Sequence, residues 1–500
     1  MQQDANYHFC RDLPTTPLPE AGRILVTGAT GYIGGRLVPE LLERGYRVRV
    51  MVRGIAPEIL ERWPDVEVAI ADALDIDSLM RALEGVHTAY YLIHSLLLGQ
   101  KKFESADIEA AINFKEAAEK QGLKRIIYLG GLGDVQSELS SHLKSRITIA
   151  QELMSGRVPA TFLRAAIIIG SGSASYEIIK HLVRNCPVIL VPPWARTKCQ
   201  PIAIRDVIKY LVGVLEKPEE TAGRSFDIGG SDILTYEMML KILSEIHLIK
   251  RPFISFPLKT VKLYAYAASL LTPVPAAITM CLMESCHNDV ICQNDDIRRI
   301  IPFQTMPYRE SLVRAMSREE SDNVSTRWSD SYPPAHELAI KLNEAESFPL
   351  YRSSYSMLTA KKASLLFASI TRIGGKEGWF RSNLLWRIRG WCDRILMGVG
   401  VSRGRRSSNT LRINDVIDFW RVEDLKENER LLLRAEMKMP GRAWLEFTIT
   451  PDTKSPAHVL SVNAYFQSRG FWGQMYWYIF MPFHVFIFND LIQQIEKRSL

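Results

Sequence analysis

The sequence predicts two successive domains, an α/β domain on a doubly wound parallel sheet and an α+β domain on an antiparallel sheet. From residue 23, short apolar runs alternate with amphipathic segments of helical length, which is typical of a parallel sheet covered by helices on both faces. After about residue 362, such runs follow each other with turn residues between them, which is typical of an antiparallel meander.

The elements of the α/β domain can be followed in order along the chain. The successive strand and helix segments are RILVTG, GYIGGRLVPELLERG, RVRVMVR, APEILERW, VEVAIAD, DIDSLMRALEG, TAYYLIHS, ADIEAAINFKEAAEKQG and RIIYLGG. The strands are nearly continuous apolar runs because helices cover both faces of such a sheet. The alternation continues less regularly through ATFLRAAIIIG, VILVP and RDVIKYLVGVLEK to a mostly helical stretch near residues 235–315.

The second domain follows a polar, proline-marked stretch. Residues 317–347 are predicted as a linker between domains of residues 22–316 and 348–500. The predicted strands of the second domain are NDVIDFWRVEDL, ERLLLRAEMKM, RAWLEFTITPD and HVLSVNAYFQS. A C-terminal helix from residue 471 is expected to cover their apolar face with Trp472, Tyr476, Trp477, Phe480 and Phe483.

Composition limits the class of protein. Apolar residues make up 47% and charged residues 23% of the 500 residues, as in ordinary globular proteins. The net charge is +7, and the sequence contains no block of like charges, which argues against a nucleic-acid partner. The seven cysteines are scattered and odd in number, which favours a reducing compartment. The first residues lack the apolar core of a secretory signal, so a cytoplasmic location is predicted.

A glycine-rich loop is the strongest functional signal. Residues 27–34, TGATGYIG, lie between a predicted strand and a predicted helix. Gly28 would permit a tight turn, Gly31 would let the backbone approach a pyrophosphate, and Gly34 would allow close packing of the helix. The amides and dipole of the helix N-terminus favour phosphate there. Strand, loop, helix and second strand follow in the order that a Rossmann dinucleotide site requires.

The second strand indicates which nucleotide binds. Arg53 stands at its end, where an acidic residue would accept hydrogen bonds from a ribose 2′-OH, and Arg36 and Arg62 lie in the same region. A guanidinium matches a 2′-phosphate, which favours NADP(H), with NAD(H) as the alternative. Asp72 is expected either to accept from the adenine amino group or to cap a helix. The predicted cofactor-binding residues are Gly28, Thr30, Gly31, Tyr32, Ile33, Gly34, Arg53, Asp72, Leu92 and Leu163.

These segments together point to a known family. TGATGYIGGRL, ADALD, YYLIHS, NFKEAAEKQGLKRIIYLGG and ATFLRAAIIIG resemble an atypical short-chain dehydrogenase/reductase, of the extended-like type that includes NmrA-like NAD(P)-binding proteins. GGKEGWF, RAWLEF and FWGQMYWYIFMPFH are similar to the helix-grip (START-like) domain fused to such reductases. The resemblance implies an NAD(P)-dependent oxidoreductase, followed by a sheet that wraps around a helix and holds an apolar ligand.

The usual catalytic residues of the resembled family are replaced. Active members carry a YxxxK pair, in which the tyrosine donates a proton and the lysine holds the nicotinamide ribose, and a serine that polarises the carbonyl. Here His142 occupies the position of the tyrosine, Arg146 that of the lysine, and Gly130 or Gly131 that of the serine.

Two functions follow from this replacement. In the first, His142 is the general acid of a reductase acting on an apolar carbonyl or quinone-like substrate, and His94, after the fourth strand, is a second candidate. Arg146 would then bind the ribose, although a neighbouring cation lowers the pKa of a histidine. In the second, the chain is a non-catalytic NADP(H)-sensing or assembly protein that binds an apolar ligand.

Three other segments carry weaker signals. Residues 379–406 mix tryptophan with arginine, which indicates either a partly buried helix with a solvated arginine face or contact with an anionic membrane surface. Residues 471–488 are about as long as a short membrane span, but Gln474, Pro482 and His484 favour a helix buried in protein or lining a cavity. No metal site is predicted, because the spacing is irregular in the cluster Cys281, Cys286, His287 and Cys292.

Overall fold

The structure is a computed structural model that divides into two compact units. It describes residues 8–53, 57–93, 100–133, 141–257, 260–320, 326–331, 342, 350–374, 378–379, 383–400, 410–453 and 455–499. The first unit comprises residues 1–272 and 277–331, and the second comprises residues 273–276 and 332–500. The first unit extends into the predicted linker of residues 317–347. Residues 317–320 complete a helix, and residues 326–331 belong to the first unit.

The first unit contains thirteen strands among its described residues. They are β1 Arg23–Val26, β2 Val48–Val52, β3 Glu67–Ile70, β4 Val86–Tyr91, β5 Arg125–Gly131, β6 Ala160–Ala165, β7 Ile168–Ile169, β8 Ile189–Val191, β9 Lys198–Cys199, β10 Ile202–Ala203, β11 Ser225–Ile228, β12 Leu234–Thr235 and β13 Phe253–Ser255. Seven form a parallel sheet in the order β11-β6-β5-β4-β1-β2-β3. The predicted parallel sheet is therefore confirmed.

Helices cover both faces of this sheet. The helices of the first unit are α1 Gly34–Glu43, α2 Pro57–Arg62, α3 Ile76–Leu83, α4 Gln100–Lys120, α5 Ser141–Met154, α6 Ala174–Asn185, α7 Ile204–Glu216, α8 Pro218–Thr221, α9 Tyr236–Ile246, α10 Val261–Leu271, α11 Ala276–Glu284, α12 Asp296–Ile300 and α13 Tyr308–Glu320. Successive residues of a strand point to opposite faces. Ile24 of β1 accordingly joins the core formed with α1 and α7, whereas Leu25 joins the core formed with α3, α4 and α5.

The second unit is built on an antiparallel sheet. Its strands are β14 Leu350–Thr359, β15 Val416–Ile417, β16 Trp420–Lys426, β17 Arg430–Ala435, β18 Gly441–Pro451 and β19 His458–Ser468. Its helices are α14 Ala363–Ile370, α15 Asn383–Ile395 and α16 Gly470–Arg498. The six strands follow the order β14-β19-β18-β17-β16-β15, and every neighbouring pair is antiparallel. The predicted antiparallel sheet is confirmed, and β14 is a strand that the sequence pattern did not predict.

Helix α16 packs on this sheet through a different set of residues than the sequence predicted. Trp477 is buried as expected, but Trp472 and Phe483 are exposed. The core of the second unit instead receives Phe488, Leu491, Ile492 and Ile495 from the C-terminal half of the helix. Across the described part of the chain, no helix reaches the combination of length and hydropathy needed to span a membrane.

His484 gives the second unit an expected acid sensitivity. Its ring lies 5.0 Å from that of Trp477 and 5.3 Å from that of Phe488, and burial lowers its pKa from 6.5 to about 4. Between these two values the unfolded chain binds a proton that the folded unit does not. The free energy of unfolding should therefore fall as the pH drops from 6.5 to 4, by about 2–3 kcal/mol.

Denaturant titrations at several pH values measure this effect. We expect His484→Phe to remove most of the acid loss of the second unit, because phenylalanine takes no proton. The matched control is His287→Phe, at an exposed histidine of the first unit. An unchanged pH profile in the His484 variant would contradict the assignment.

Candidate functional site

The glycine-rich loop between β1 and α1 requires glycine at two positions. Gly28 has a φ of +61°, and a Cβ atom added to it would lie 2.6 Å from the carbonyl oxygen of Leu92. A Cβ atom added to Gly34 would lie 2.4 Å from the carbonyl oxygen of Gly28. Gly28 thus permits a left-handed turn beside β4, and Gly34 lets α1 begin directly against the loop.

Hydrogen bonds hold this loop against the carboxyl end of β4. The Thr27 hydroxyl donates to the carbonyl oxygen of Tyr90 at 3.0 Å and accepts the amide of Leu92 at 2.8 Å. Ile33 is the N-cap residue of α1, and its hydrocarbon side chain cannot accept hydrogen bonds from the amides of the first turn. Half-buried Thr30, Gly31, Tyr32 and Ile33 surround this helix end, where phosphate oxygens can act as acceptors.

Arg36 is not available to a nucleotide, which corrects its place among the candidate cations. The side chain is only 3% exposed. Its guanidinium donates to three carbonyl oxygens, those of Tyr32 at 3.2 Å, Thr326 at 3.0 Å and Ser171 at 2.9 Å. Arg36 therefore ties the loop to two distant segments of the first unit.

Two other arginines remain near the expected ribose end of the site. Arg53 directly follows β2 and is exposed. Arg62 of α2 donates to the carbonyl oxygen of Gly35 at 3.3 Å, and its guanidinium lies 4.5 Å from the ring centroid of Trp63. Arg62 thus places a positive charge beside the first turn of α1.

Asp72 and Leu163 have surroundings that refine their expected roles. Asp72 is exposed and accepts the amide of Leu74 at 3.0 Å, whereas the N-cap of α3 is Asp75. The capping alternative for Asp72 is therefore wrong. The Leu163 side chain has no exposed surface and belongs to the hydrophobic core, so it supports β6 and offers no surface to a nucleotide.

The strand end expected to carry a serine has little room for one. A Cβ atom added to Gly130 would lie 2.6 Å from the Phe162 ring, and one added to Gly131 would lie 2.6 Å from Cδ2 of Leu143. The Leu143 side chain can rotate away more easily than the packed ring of Phe162. The absence of a hydroxyl at the end of β5 is thus built into the packing around it.

Helix α5 brings Arg146 to the same strand end. Its guanidinium donates to the carbonyl oxygen of Leu129 at 3.3 Å. His142 lies one helical turn earlier on α5, so the two positions share a helix face. The side chain of His142 and all of His94 lie outside the described residues.

Sequence reasoning did not assign three groups to this part of the site: Tyr128, Asp107 and Cys281. The Tyr128 hydroxyl lies 3.5 Å from the Arg146 carbonyl oxygen, and burial raises the pKa of Tyr128 although Arg146 opposes the rise. Asp107, on α4, is buried and interacts electrostatically with Tyr128. Burial also raises the pKa of Cys281 to about 12 against the effect of Arg146. Only Tyr128 had a sequence signal, since it precedes Gly130 by two residues and so faces the same side of β5.

A cavity of about 70 Å³ lies within the first unit. Helix α11 links the cavity with Arg146, because Leu282 and Met283 line the cavity and Cys281 of the same helix interacts electrostatically with Arg146. Ile167, two residues after the end of β6, lines it from the sheet. Most lining residues are apolar or aromatic, among them Ile178, Leu182, Leu190, Val191, Trp194, Leu240, Tyr264 and Leu282.

The sheet order and the loop geometry define the first unit as a Rossmann-type domain of the NAD(P)-binding class. Residues 20–295 match the NmrA-like family, and because this is more than half of the sequence, the chain belongs to that family. The predicted resemblance to NmrA-like proteins is confirmed. Residues 349–491 match a second family, described as a protein of unknown function (DUF2867).

Similar proteins include a reductase and a protein named as an NADH dehydrogenase subunit. The chain is 25% identical to the mitochondrial NADH dehydrogenase [ubiquinone] 1 alpha subcomplex subunit 9 of Arabidopsis thaliana, over 46% of this chain and 60% of that protein. It is 26% identical to the chloroplastic divinyl chlorophyllide a 8-vinyl-reductase of the same plant, over 42% of this chain and 54% of the relative. The matches thus span less than two thirds of either relative.

A reductase of known structure is also similar to this chain. The triphenylmethane reductase of Citrobacter sp., complexed with NADP(H), superposes with a TM-score of 0.48 and 20% identity. The match covers 59% of this chain and 99% of that protein.

Proposed function

We propose that the chain binds NADP(H) and transfers a hydride to an apolar carbonyl or quinone-like substrate. The observation that carries this proposal is the apolar cavity of the first unit, which α11 connects with Arg146 at the end of β5. In open α/β sheets, ligands bind beyond the carboxyl ends of the strands. A cavity lined in this way favours an uncharged, largely hydrocarbon substrate.

The glycine-rich loop fits the pyrophosphate of the cofactor. Glycine at positions 28 and 34 lets the loop pack tightly against β4 and against the start of α1, where a side chain would collide with the backbone. The first turn of α1 has no side-chain cap, and a pyrophosphate would bind at this helix end. Arg53 and Arg62 supply positive charge near the second strand and the start of α1. A 2′-phosphate would be matched by these groups, which supports NADP(H) over NAD(H).

Removing the Arg53 charge should change nucleotide preference. We expect Arg53→Ala to weaken NADPH binding by about tenfold or more while leaving NADH binding nearly unchanged, because only NADPH carries the 2′-phosphate. Fluorescence titration with NADPH and with NADH measures the ratio of the two dissociation constants. Arg299→Ala, at an arginine whose side chain is 82% exposed in the same unit, is the matched control. Equal weakening for both nucleotides would contradict the role of Arg53.

The chain's own residues would complete a two-electron reduction. When bound, the reduced nicotinamide supplies a hydride to the electrophilic carbon of the substrate. His142 would donate the accompanying proton to the substrate oxygen, and Arg146 would bind the ribose hydroxyls from the next turn of α5. Hydride and proton together convert a carbonyl to an alcohol, or a quinone to a hydroquinone. His94 is the second candidate for the proton donor.

Loss of the proton donor should affect turnover more than binding. We expect His142→Phe to lower the rate of NADPH oxidation with lipophilic quinones and enals by about a hundredfold, with NADPH affinity unchanged. Lys144→Ala, at an exposed position of the same helix, should retain full activity. Unchanged turnover in the His142 variant would show that His142 is not the proton donor. The same assay with His94→Phe would then test His94 in that role.

The end of β5 favours a second function, a cofactor-sensing or assembly protein without turnover. Gly130 and Gly131 leave no hydroxyl to polarise a carbonyl, and their packing resists adding one. The relative that is named a subunit of an NADH dehydrogenase is in keeping with such a role. Saturable NADPH binding without turnover on any compound of the panel would favour this function. Both proposals include a START-like second unit, which would hold an apolar ligand between its sheet and its helix.

A further inference from the structure

Helix α15 of the second unit exposes an apolar stripe. Leu384, Ile388, Trp391 and Ile395 follow the spacing that places residues on one helix face, and all are exposed, Trp391 by 58%. The opposite face is buried through Trp386, Gly390 and Asp393. Single exposed apolar residues are common, but a continuous stripe of this kind marks an interaction surface.

The N-terminal half of α16 exposes a second set of large apolar side chains. Phe471, Trp472, Tyr478 and Ile479 are exposed, Trp472 by 68%. The same helix is anchored in the core of the second unit by Trp477 and by the residues of its C-terminal half, Phe488, Leu491, Ile492 and Ile495. The exposed half therefore belongs to a fixed surface of the unit.

The turn between β17 and β18 joins these two sets. Lys438 in this turn donates through Nζ to the carbonyl oxygen of Leu396 at 2.9 Å, just beyond α15. Pro440, two residues later, accepts the amide of Arg469 at 3.0 Å, directly before α16. We call the combined set the α15–α16 surface; its members are Leu384, Ile388, Trp391, Ile395, Phe471, Trp472, Tyr478 and Ile479.

Among the described residues of α15, of the joining turn and of the N-terminal half of α16, the exposed charges are positive. Arg387, Lys438 and Arg469 are exposed at its edges. The carboxylate of Asp393 has no exposed surface and accepts the amides of Gly400 and Lys438. No other acidic residue occurs in α15, and the first one in α16 is Asp490. Exposed aromatic rings edged by cations match a surface that is apolar below and anionic above.

From this arrangement we propose that the α15–α16 surface docks the second unit on an anionic lipid bilayer. The tryptophan and tyrosine rings enter the boundary between headgroups and acyl chains, where amphipathic rings are favoured. The arginine and lysine side chains then reach the lipid phosphates. This docking is independent of hydride transfer, so the nucleotide titrations described above do not test it.

Flotation of the full chain with lipid vesicles tests the proposal. We expect the wild type to float with phosphatidylcholine vesicles that contain phosphatidylglycerol at about one lipid in four, to float less at high salt, and to remain behind with pure phosphatidylcholine. Trp391→Ser combined with Trp472→Ser should reduce binding by about tenfold or more. Arg387→Gln should reduce it by about fivefold.

Control variants separate docking from folding and from self-association. Leu248→Ser, at a leucine 91% exposed on the first unit, should float like the wild type. Circular dichroism should show unchanged folding for all variants, because each replaced side chain is exposed. The proposal is overturned if the wild type stays in solution with anionic vesicles, or if the double tryptophan variant floats equally well. It is also overturned if light scattering shows a dimer that the double variant abolishes, since a second copy would then cover the surface.

Discussion

Replacing Gly28 by alanine is expected to lower the affinity for NADPH by about a hundredfold, or ~2.7 kcal/mol. The new Cβ atom would lie 2.6 Å from the carbonyl oxygen of Leu92. Leu92 is held in place by the hydrogen bond that its backbone N–H donates to the Thr27 hydroxyl. Backbone at this distance cannot yield without moving the loop away from the end of β4. The φ of +61° adds strain for any residue with a Cβ atom. Fluorescence titration with NADPH measures the loss.

Gly122→Ala provides the matched control for this variant. Gly122 also has a positive φ, of +67°, but a Cβ atom added there would meet nothing within 4 Å. It should therefore show the cost of the left-handed backbone in stability and leave NADPH affinity unchanged. If Gly28→Ala folds and binds NADPH like the wild type, the nucleotide does not rest on this loop.

The second large effect is expected in the other unit, where Glu436→Ala should lower the free energy of unfolding by about 3–5 kcal/mol. Oε1 of Glu436 lies 2.6 Å from Nε of Arg421, and the two side chains are 0% and 1% exposed. Removing the carboxylate leaves a buried guanidinium with the Asn414 carbonyl oxygen, at 2.9 Å, as a remaining acceptor. Denaturant unfolding of the second unit measures the loss.

Two further variants identify the cause of that loss. Glu427→Gln, at an exposed position between β16 and β17, should be nearly neutral. Replacing both partners, Arg421→Met with Glu436→Leu, should recover most of the stability, because neither charge then remains buried. A double variant as unstable as Glu436→Ala would show that packing, and not the unpaired charge, is responsible.

The central strands of the parallel sheet could be predicted because burial on both faces makes them continuous apolar runs. Strand β14 could not, because its sequence LYRSSYSMLT places polar residues such as Arg352, Ser354 and Ser356 on alternate positions of a sheet edge. Its pairing with β19 joins residues about a hundred positions apart, including Tyr355 with Val462. Such a partner lies beyond any local pattern.

The same distinction holds for the candidate site. The positive φ of Gly28 and the contact of Gly34 with Gly28 are features of the local backbone, so the motif was sufficient to find both glycines. The role of Arg36 depends on carbonyl oxygens of Ser171 and Thr326, and the latter lies 290 residues away along the chain. An arginine beside a nucleotide motif therefore looks like a phosphate ligand until its distant partners are known.

The aromatic helix shows how composition can indicate an element without indicating its contacts. The prediction of a long C-terminal helix is confirmed, but the residues that cover the sheet come mainly from the C-terminal half of this helix. Apolar side chains all around a helix cannot reveal which face meets the sheet. The exposed remainder forms part of the α15–α16 surface.

Hydrogen exchange of the peptide that spans residues 28–35, with and without NADPH, tests the nucleotide site most directly. We expect saturable protection of its amides, greater with NADPH than with NADH, because phosphate oxygens would accept hydrogen bonds at the start of α1. If no nicotinamide nucleotide at any concentration slows exchange in this peptide, the loop holds no cofactor, and both the reductase and the sensor proposals are wrong.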